Sequence, residues 1–95
     1  MDEYYNHPGG KFRRMGPEHC SERELLAIIF NTGTKKHSAE AIAQMLLDKF
    51  GGLNNIMGHK LSELMEIEGI GAVKATQVAA FFELTKRVIR HLETE

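Results

Sequence analysis

The sequence predicts an all-α fold, a compact bundle of about five helices in which two helix–turn–helix units are related by approximate symmetry. Apolar side chains recur at helical spacing through most of the chain, and no segment alternates convincingly in the manner of a β-strand. Glycines interrupt these segments, and a glycine inside a helix costs roughly 1 kcal/mol relative to alanine. We therefore interpret the glycines as breaks between helices.

Length and composition fit one small domain. The chain has 95 residues, of which 42% are hydrophobic and 26% charged. The formal net charge is −1, so any nucleic-acid binding must depend on local geometry rather than on a strongly basic field. The single cysteine, Cys20, excludes an internal disulfide. No apolar run is long enough to span a membrane, so we expect a soluble, cytoplasmic protein without a membrane partner.

The first elements follow from local composition. The segment MDEYYNHPGG is polar and has no apolar period, so residues 1–10 are expected to be a flexible lead-in and 11–92 the folded domain. The segment KFRRM is expected to form a short helix that ends at Gly16. It contains a basic cluster that we interpret as a solvated, flexible arm: Lys11, Arg13 and Arg14.

Caps define the next two helices. Glu24 follows Ser21 by three residues, the spacing at which each side chain caps the other's backbone N–H. The apolar run after them predicts a buried helix that stops near Gly33. Ser38 is expected to cap a third helix, which the glycines at 51–52 end. Its apolar residues recur at helical spacing: Ala39, Ile42, Ala43, Leu46, Leu47 and Phe50.

The second half of the chain repeats the plan of the first at a spacing of about 37 residues. We expect a helical turn over 53–57, a short helix in LSELMEI, and the longest helix from Ala72 to about His91. A stripe on this last helix is expected to be core, in part a surface for a neighbouring domain: Val78, Phe81, Phe82, Leu84, Val88, Ile89 and Leu92.

The run EIEGIGAVKA resembles the hairpin of a helix-hairpin-helix motif. The residues that match the motif are Ile67, Gly69, Ile70, Gly71, Lys74 and Ala75. Together with GPEHCSERELLAIIFNTGT and SAEAIAQMLLDKFGGL, in that order, the run is similar to the N-terminal helical domain of RadC-family DNA repair proteins, over about residues 8–92. In that family a JAMM-type metallopeptidase-like domain with an H-x-H motif follows. This chain lacks that motif, so the resemblance implies the first domain without its catalytic partner.

The resemblance implies sequence-independent DNA binding, and the residues supply a physical reason for it. Gly69 and Gly71 are expected to adopt torsions that a β-carbon would obstruct and to leave amides bare at the start of the next helix. Those amides can point at one phosphate. Lys74 would add a cation there while Ile70 anchors the turn in the core. The expected binding is salt-sensitive and weak, on the order of 10⁻⁴ to 10⁻⁶ M at physiological salt.

A second candidate DNA contact lies in the first turn, NTGTKKHS: Gly33, Thr34, Lys35 and Lys36. Lysines in a loop are equally typical of solvated charge. Two residues depart from the family pattern and lower the local positive potential. Glu68 stands where the hairpin commonly has proline, and Asn31 stands where the RadC pattern usually has arginine.

An alternative function stays open, because a Gly-x-Gly turn also lets two helices cross closely. The domain would then be a protein-interaction or packing module that docks a metallopeptidase-like domain or a second copy of the chain. We expect no catalytic site, metal or cofactor. The histidines never fall at metal-ligand spacing, and Cys20 has no evident base partner. Helix-hairpin-helix glycosylases need a catalytic Asp downstream of the hairpin, and the acidic residues after Gly71 are all glutamates.

Overall fold

Five α-helices and two short 3₁₀ turns account for most of residues 7–94, the part of the chain that this computed structural model describes. The α-helices are α1 Pro8–Met15, α2 Glu22–Phe30, α3 Ala39–Phe50, α4 Leu61–Leu64 and α5 Ala72–Glu93. The 3₁₀ turns are Pro17–His19 and Leu53–Asn55. No strand occurs within these residues, so the prediction of an all-α bundle is confirmed.

The helix α1 begins earlier than predicted. Pro8 occupies its first turn, where a proline loses no hydrogen bond, and Nδ1 of His7 accepts a hydrogen bond from the N–H of Gly9 at 3.4 Å. Pro8 and Gly10 are buried, which fixes this segment against the body of the domain. The expectation of a flexible lead-in is therefore wrong for residues 8–10. Its remainder, residues 1–6, lies outside the described part of the chain.

The cap predicted for α2 forms as expected, whereas the end of α2 differs. The N–H of Glu24 donates to Oγ of Ser21 at 3.1 Å, and the N–H of Ser21 donates to Oε1 of Glu24 at 2.9 Å. The helix ends at Phe30 rather than near Gly33. Asn31 ends it because its φ of +70° turns the backbone out of the helical path.

The limits of α3 match the prediction, and those of α4 and α5 match it more loosely. Ser38 caps α3 by accepting a hydrogen bond from the N–H of Ala41 at 3.1 Å, and Gly51 ends the helix in the left-handed conformation. The helix predicted in LSELMEI is shortened to the four residues of α4, and α5 runs to Glu93. The symmetry between the α2–α3 and α4–α5 units is therefore approximate.

One hydrophobic core is shared by both units: Leu26, Phe30, Ile42, Ala43, Leu46, Ile56, Leu64, Ile67, Ile70, Ala75, Val78 and Phe82. The helix α2 packs on α3, and α5 packs on α2 and α4. No polar or charged side chain among residues 7–94 is fully buried. The two units consequently form a single body and place their connecting turns at one end of it.

The C-terminal half of α5 extends past this core. Four residues of its apolar stripe are between 44% and 64% exposed: Leu84, Val88, Ile89 and Leu92. From Glu83 to Thr94 every residue except Thr85 is exposed, so no described element covers this end of the helix. The stripe therefore belongs to the core only as far as Phe82, because α4 is a single turn and offers little surface to pack against. The prediction that part of the stripe is a surface for a neighbouring domain stays a prediction.

Candidate phosphate-binding surface

The turn between α4 and α5 is fixed by its apolar residue and by its first glycine. Ile70 is 3% exposed, and its N–H donates to the carbonyl oxygen of Ile67 at 3.0 Å, so it anchors the turn in the core as predicted. Gly69 has a φ of +94°. A β-carbon there would lie 2.9 Å from two side-chain carbons of Ile42 on α3, closer than packed carbons approach. Both constraints require glycine at this position.

Gly71 does not share these constraints. Its φ is −92°, and a β-carbon built there would meet nothing within 4 Å. The expectation that both glycines adopt torsions closed to other residues is therefore correct for Gly69 and wrong for Gly71. Gly71 instead occupies the position just before α5, where it leaves the first turn of that helix open to solvent.

The backbone amides at the start of α5 have no partner within residues 7–94. No backbone or side-chain oxygen there accepts a hydrogen bond from the N–H groups of Ala72, Val73 and Lys74. The other helices of eight or more residues carry a side-chain cap: His7 for α1, Ser21 for α2 and Ser38 for α3. The first turn of α5 is therefore a set of unpaired donors at the positive end of the longest helix dipole.

Lys74 lies in that same first turn, as predicted. Its side chain is partly buried and makes no hydrogen bond or ion pair with the part of the chain that the structure describes. Other lysines are engaged: Lys11 lies 3.0 Å from Glu24, and Lys49 lies 2.8 Å from Glu66. The ammonium group of Lys74 is thus available to an anion held by the open amides.

The first turn, between α2 and α3, is ordered by its own hydrogen bonds. Oγ1 of Thr34 accepts from the N–H groups of Lys36 at 3.3 Å and His37 at 3.1 Å, and its own N–H donates to the carbonyl oxygen of His37 at 2.8 Å. A β-carbon on Gly33 would collide with that same carbonyl oxygen, so close backbone approach requires glycine there. Lys35 and Lys36 are exposed at the tip, and their ammonium groups have no partner within residues 7–94.

The two turns meet. Nε2 of His37 lies 3.1 Å from Oε2 of Glu68, a contact between residues 31 positions apart. A β-carbon on Gly69 would lie 3.8 Å from Cγ2 of Thr34. The two candidate DNA contacts predicted from the sequence are therefore parts of one surface. The contact between His37 and Glu68 was not predicted, because two residues 31 positions apart give no local spacing signal that would reveal the pair.

The basic cluster of α1 is part of a helix and is not a flexible arm. Lys11 is held in α1 with Nζ 3.0 and 3.2 Å from the two carboxylate oxygens of Glu24. The N–H of Ser21 and the ammonium of Lys11 together hold the pKa of Glu24 below its ordinary value. The interpretation of this cluster as a mobile arm is wrong because the α1–α2 contact orders it.

Within residues 7–94, no three side chains of His, Cys, Asp or Glu come close enough together to hold a metal ion. Over the same range, no helix has both the length and the apolar character needed to cross a membrane.

Comparisons with known proteins place the chain in a family. A family model described as UPF0758 N-terminal matches residues 4–76. A UPF0758 protein of Coprothermobacter proteolyticus is 42% identical over 80 residues, which cover 84% of this chain and 34% of the relative. One from Lactococcus lactis is 44% identical over 85 residues, covering 90% of this chain and 37% of the relative.

A third relative, a UPF0758 protein of Acinetobacter baylyi, is 40% identical over 84 residues, covering 88% of this chain and 31% of the relative. The chain thus spans about a third of the length of these curated relatives. No solved structure matches the chain.

Proposed function

This chain belongs to the UPF0758 family, and on that basis we propose that its domain is a non-catalytic, sequence-independent DNA-binding module. It contacts phosphate through the turn Gly69-Ile70-Gly71 and the first turn of α5. The observation that carries the proposal is the open start of α5, where three unpaired amides and an unpaired lysine lie within one helical turn. Such a group of donors suits a single phosphate and ignores base identity.

We further infer that the UPF0758 relatives are RadC-like proteins and that this turn is the hairpin of a helix-hairpin-helix motif. The three ordered stretches that resemble the RadC N-terminal domain support this inference, and so does the left-handed Gly69 beside the buried Ile70. In the relatives, the two thirds of the chain that this sequence does not span would contain the JAMM-like metallopeptidase domain.

The first turn adds to the same surface. Lys35 and Lys36 are exposed and belong to the turn that contacts Glu68 through His37. Their ammonium groups have no partner within residues 7–94. They supply cations for a neighbouring phosphate of the same strand. Because the formal net charge of the protein is −1, these local donors must provide the attraction, and the affinity falls steeply with salt.

Anisotropy titrations of a fluorescent duplex with the Lys74→Ala variant test this proposal. The variant should weaken binding equally for duplexes of different sequence and reduce the logarithmic salt slope by about one. Its free energy of unfolding should stay within about 0.5 kcal/mol of the parent. Lys86→Ala is the matched control, because Lys86 lies on the same helix but pairs with Glu83 at 3.7 Å.

Two results would contradict the proposal. One is the absence of any salt-dependent anisotropy change at low salt with protein near a millimolar. The other is equal affinity of the Lys74→Ala and Lys86→Ala variants for the duplex. The exposed apolar stripe of Leu84, Val88, Ile89 and Leu92 would then favour the alternative function, a protein-interaction module that docks a metallopeptidase-like domain or a second copy of the chain.

A further inference from the structure

We propose that His37 and Glu68 join the two turns into one phosphate site whose affinity depends on protonation of His37. This inference rests on the proposed function and adds its regulation: duplex binding takes up a proton and tightens as the pH falls from 8 to 6. It is carried by the contact of Nε2 of His37 with Oε2 of Glu68 at 3.1 Å, which links turns that are far apart in the sequence.

The geometry holds both partners in place. The N–H of His37 donates to Oγ1 of Thr34, so the backbone that carries the imidazole is fixed in the first turn. Glu68 directly precedes Gly69, where a β-carbon would lie only 2.9 Å from the side chain of Ile42 on α3. The side chains of His37 and Glu68 are 30% and 56% exposed, so protons and ions reach them while the turns keep them together.

The charge on Glu68 opposes the proposed phosphate contact. Its carboxylate stands one residue before Gly69, beside the turn that presents the open amides of α5. While the imidazole is neutral, this carboxylate repels a phosphate. Once His37 is protonated, the pair carries no net charge and the repulsion is largely cancelled. A histidine side chain gains its charge between about pH 5 and 8, so the switch lies in the physiological range.

The coupling between proton binding and phosphate binding determines whether affinity rises or falls with pH. A bound phosphate adds negative charge near His37 and stabilises its protonated form. The complex therefore binds more protons than the free protein between about pH 5 and 8, where histidine side chains gain their charge, and its affinity increases as the pH falls. The gain in binding free energy at low pH is small, because it comes from one added proton that interacts with one nearby phosphate in solvent.

Other charged residues lie near this pair. Lys36 precedes His37, Glu40 lies in the first turn of α3, and Lys74 lies in the first turn of α5. Glu66 is paired with Lys49 at 2.8 Å. Lysine and glutamate side chains keep their charge between pH 6 and 8, so only a histidine can change the charge of this surface there.

A second histidine–glutamate pair provides the control. Nδ1 of His59 lies 3.3 Å from Oε2 of Glu63, and Nε2 of His59 lies 2.9 Å from the carbonyl oxygen of Asn55. This pair has the same chemistry but contains no residue of either turn. His59→Gln therefore removes one titrating imidazole without changing the proposed site.

The test measures affinity for one fluorescent duplex at pH 6 and pH 8, at equal low ionic strength. The parent should bind about fivefold more tightly at pH 6 than at pH 8. His37→Gln should reduce that ratio to near one, whereas His59→Gln should keep it. Glu68→Gln should bind at pH 8 about as tightly as the parent does at pH 6. Circular dichroism of each variant checks that it is folded.

The inference is overturned if His37→Gln keeps the pH ratio of the parent, or if Glu68→Gln does not tighten binding at pH 8. In either case the proposed function stands, provided that the Lys74→Ala variant still loses affinity. Absence of duplex binding at both pH values overturns the proposed function and this inference together.

Discussion

Gly69 is held by two independent constraints, a φ of +94° and the side chain of Ile42, which a β-carbon at this position would meet at 2.9 Å. A side chain at this position would strain the backbone and push on a fully buried isoleucine. Gly69→Ala should therefore lower the free energy of unfolding by about 1 to 3 kcal/mol. Gly71→Ala should change it by less than about 0.5 kcal/mol, because the backbone there suits any residue and the space beside it is open.

Urea unfolding of the two variants beside the parent measures both effects. The pair is well matched, since the same single methyl group is added two residues apart. Equal midpoints for Gly69→Ala and the parent would show that the turn does not need glycine at position 69.

Glu24 makes the stability of the domain depend on pH. The bond from the N–H of Ser21 and the ion pair with Lys11 lower its pKa in the folded state. Ionised Glu24 therefore stabilises the fold fully above its unfolded pKa of about 4.3, and this contribution is lost as the pH falls through the lower folded-state pKa. The difference in unfolding free energy between the parent and Glu24→Gln should shrink as the pH is lowered from 6 to 3.

Denaturant midpoints at several pH values give that difference directly. Hydrogen bonds from the N–H of Lys60 and from Arg87 also lower the pKa values of Glu63 and Glu83 respectively. The parent and the Glu24→Gln variant therefore both lose stability in acid. Only the difference in unfolding free energy between the parent and Glu24→Gln reports the contribution of Glu24 alone. A difference that stays constant down to pH 3 would show that the reciprocal cap and the Lys11 pair do not depend on the carboxylate charge.

The helix α5 combines a buried half with an exposed half, and each half contains a valine that can be replaced by alanine. Val78 is 1% exposed and Val88 is 58% exposed. Val78→Ala should cost about 1 to 3 kcal/mol through lost packing. Val88→Ala should change the free energy of unfolding by less than about 0.5 kcal/mol, because it removes no packed contact and alanine has the higher helix propensity.

Thermal or urea unfolding at two protein concentrations tests this comparison. Val88→Ala would contradict the structure if it destabilised the domain as much as Val78→Ala at both concentrations. If the loss appeared only at high concentration, a second copy of the chain would be covering the exposed stripe.

Helix limits were predictable where local chemistry sets them. The reciprocal cap of Ser21 and Glu24, the Ser38 cap and the stop at Gly51 each depend on residues within one turn of one another. The early start of α1 was missed although its signals, Pro8 in the first turn and the His7 cap, are local, because the glycines at 9–10 favour a loop over a helix. The point at which the stripe leaves the core was not predictable, because periodicity shows which face of a helix is apolar but not whether another element covers it.

At the scale of the whole molecule, each of the two turns in the candidate surface was predictable from the sequence, but the contact between them was not. The pattern around Ile70 and Lys74 is local, and the structure places both where the sequence predicts them. The contact between the two turns depends on the packing of α5 beside α2 and α4. That packing brings Glu68 to His37, which lies 31 positions earlier in the sequence. No spacing within either turn specifies that contact.

The proposed function depends on a property of the folded molecule, the open amides at the start of α5. A ¹H–¹⁵N NMR titration of the labelled domain with a short duplex at low salt observes those amides one by one. The signals of Ala72, Val73 and Lys74 should shift in a saturable way and return when salt is raised. The signal of Glu24, whose N–H is capped by Ser21, should stay in place. Duplex-induced shifts that bypass α5's first turn and fall only on Leu84 to Leu92, or no shifts at all, would contradict phosphate binding at this site.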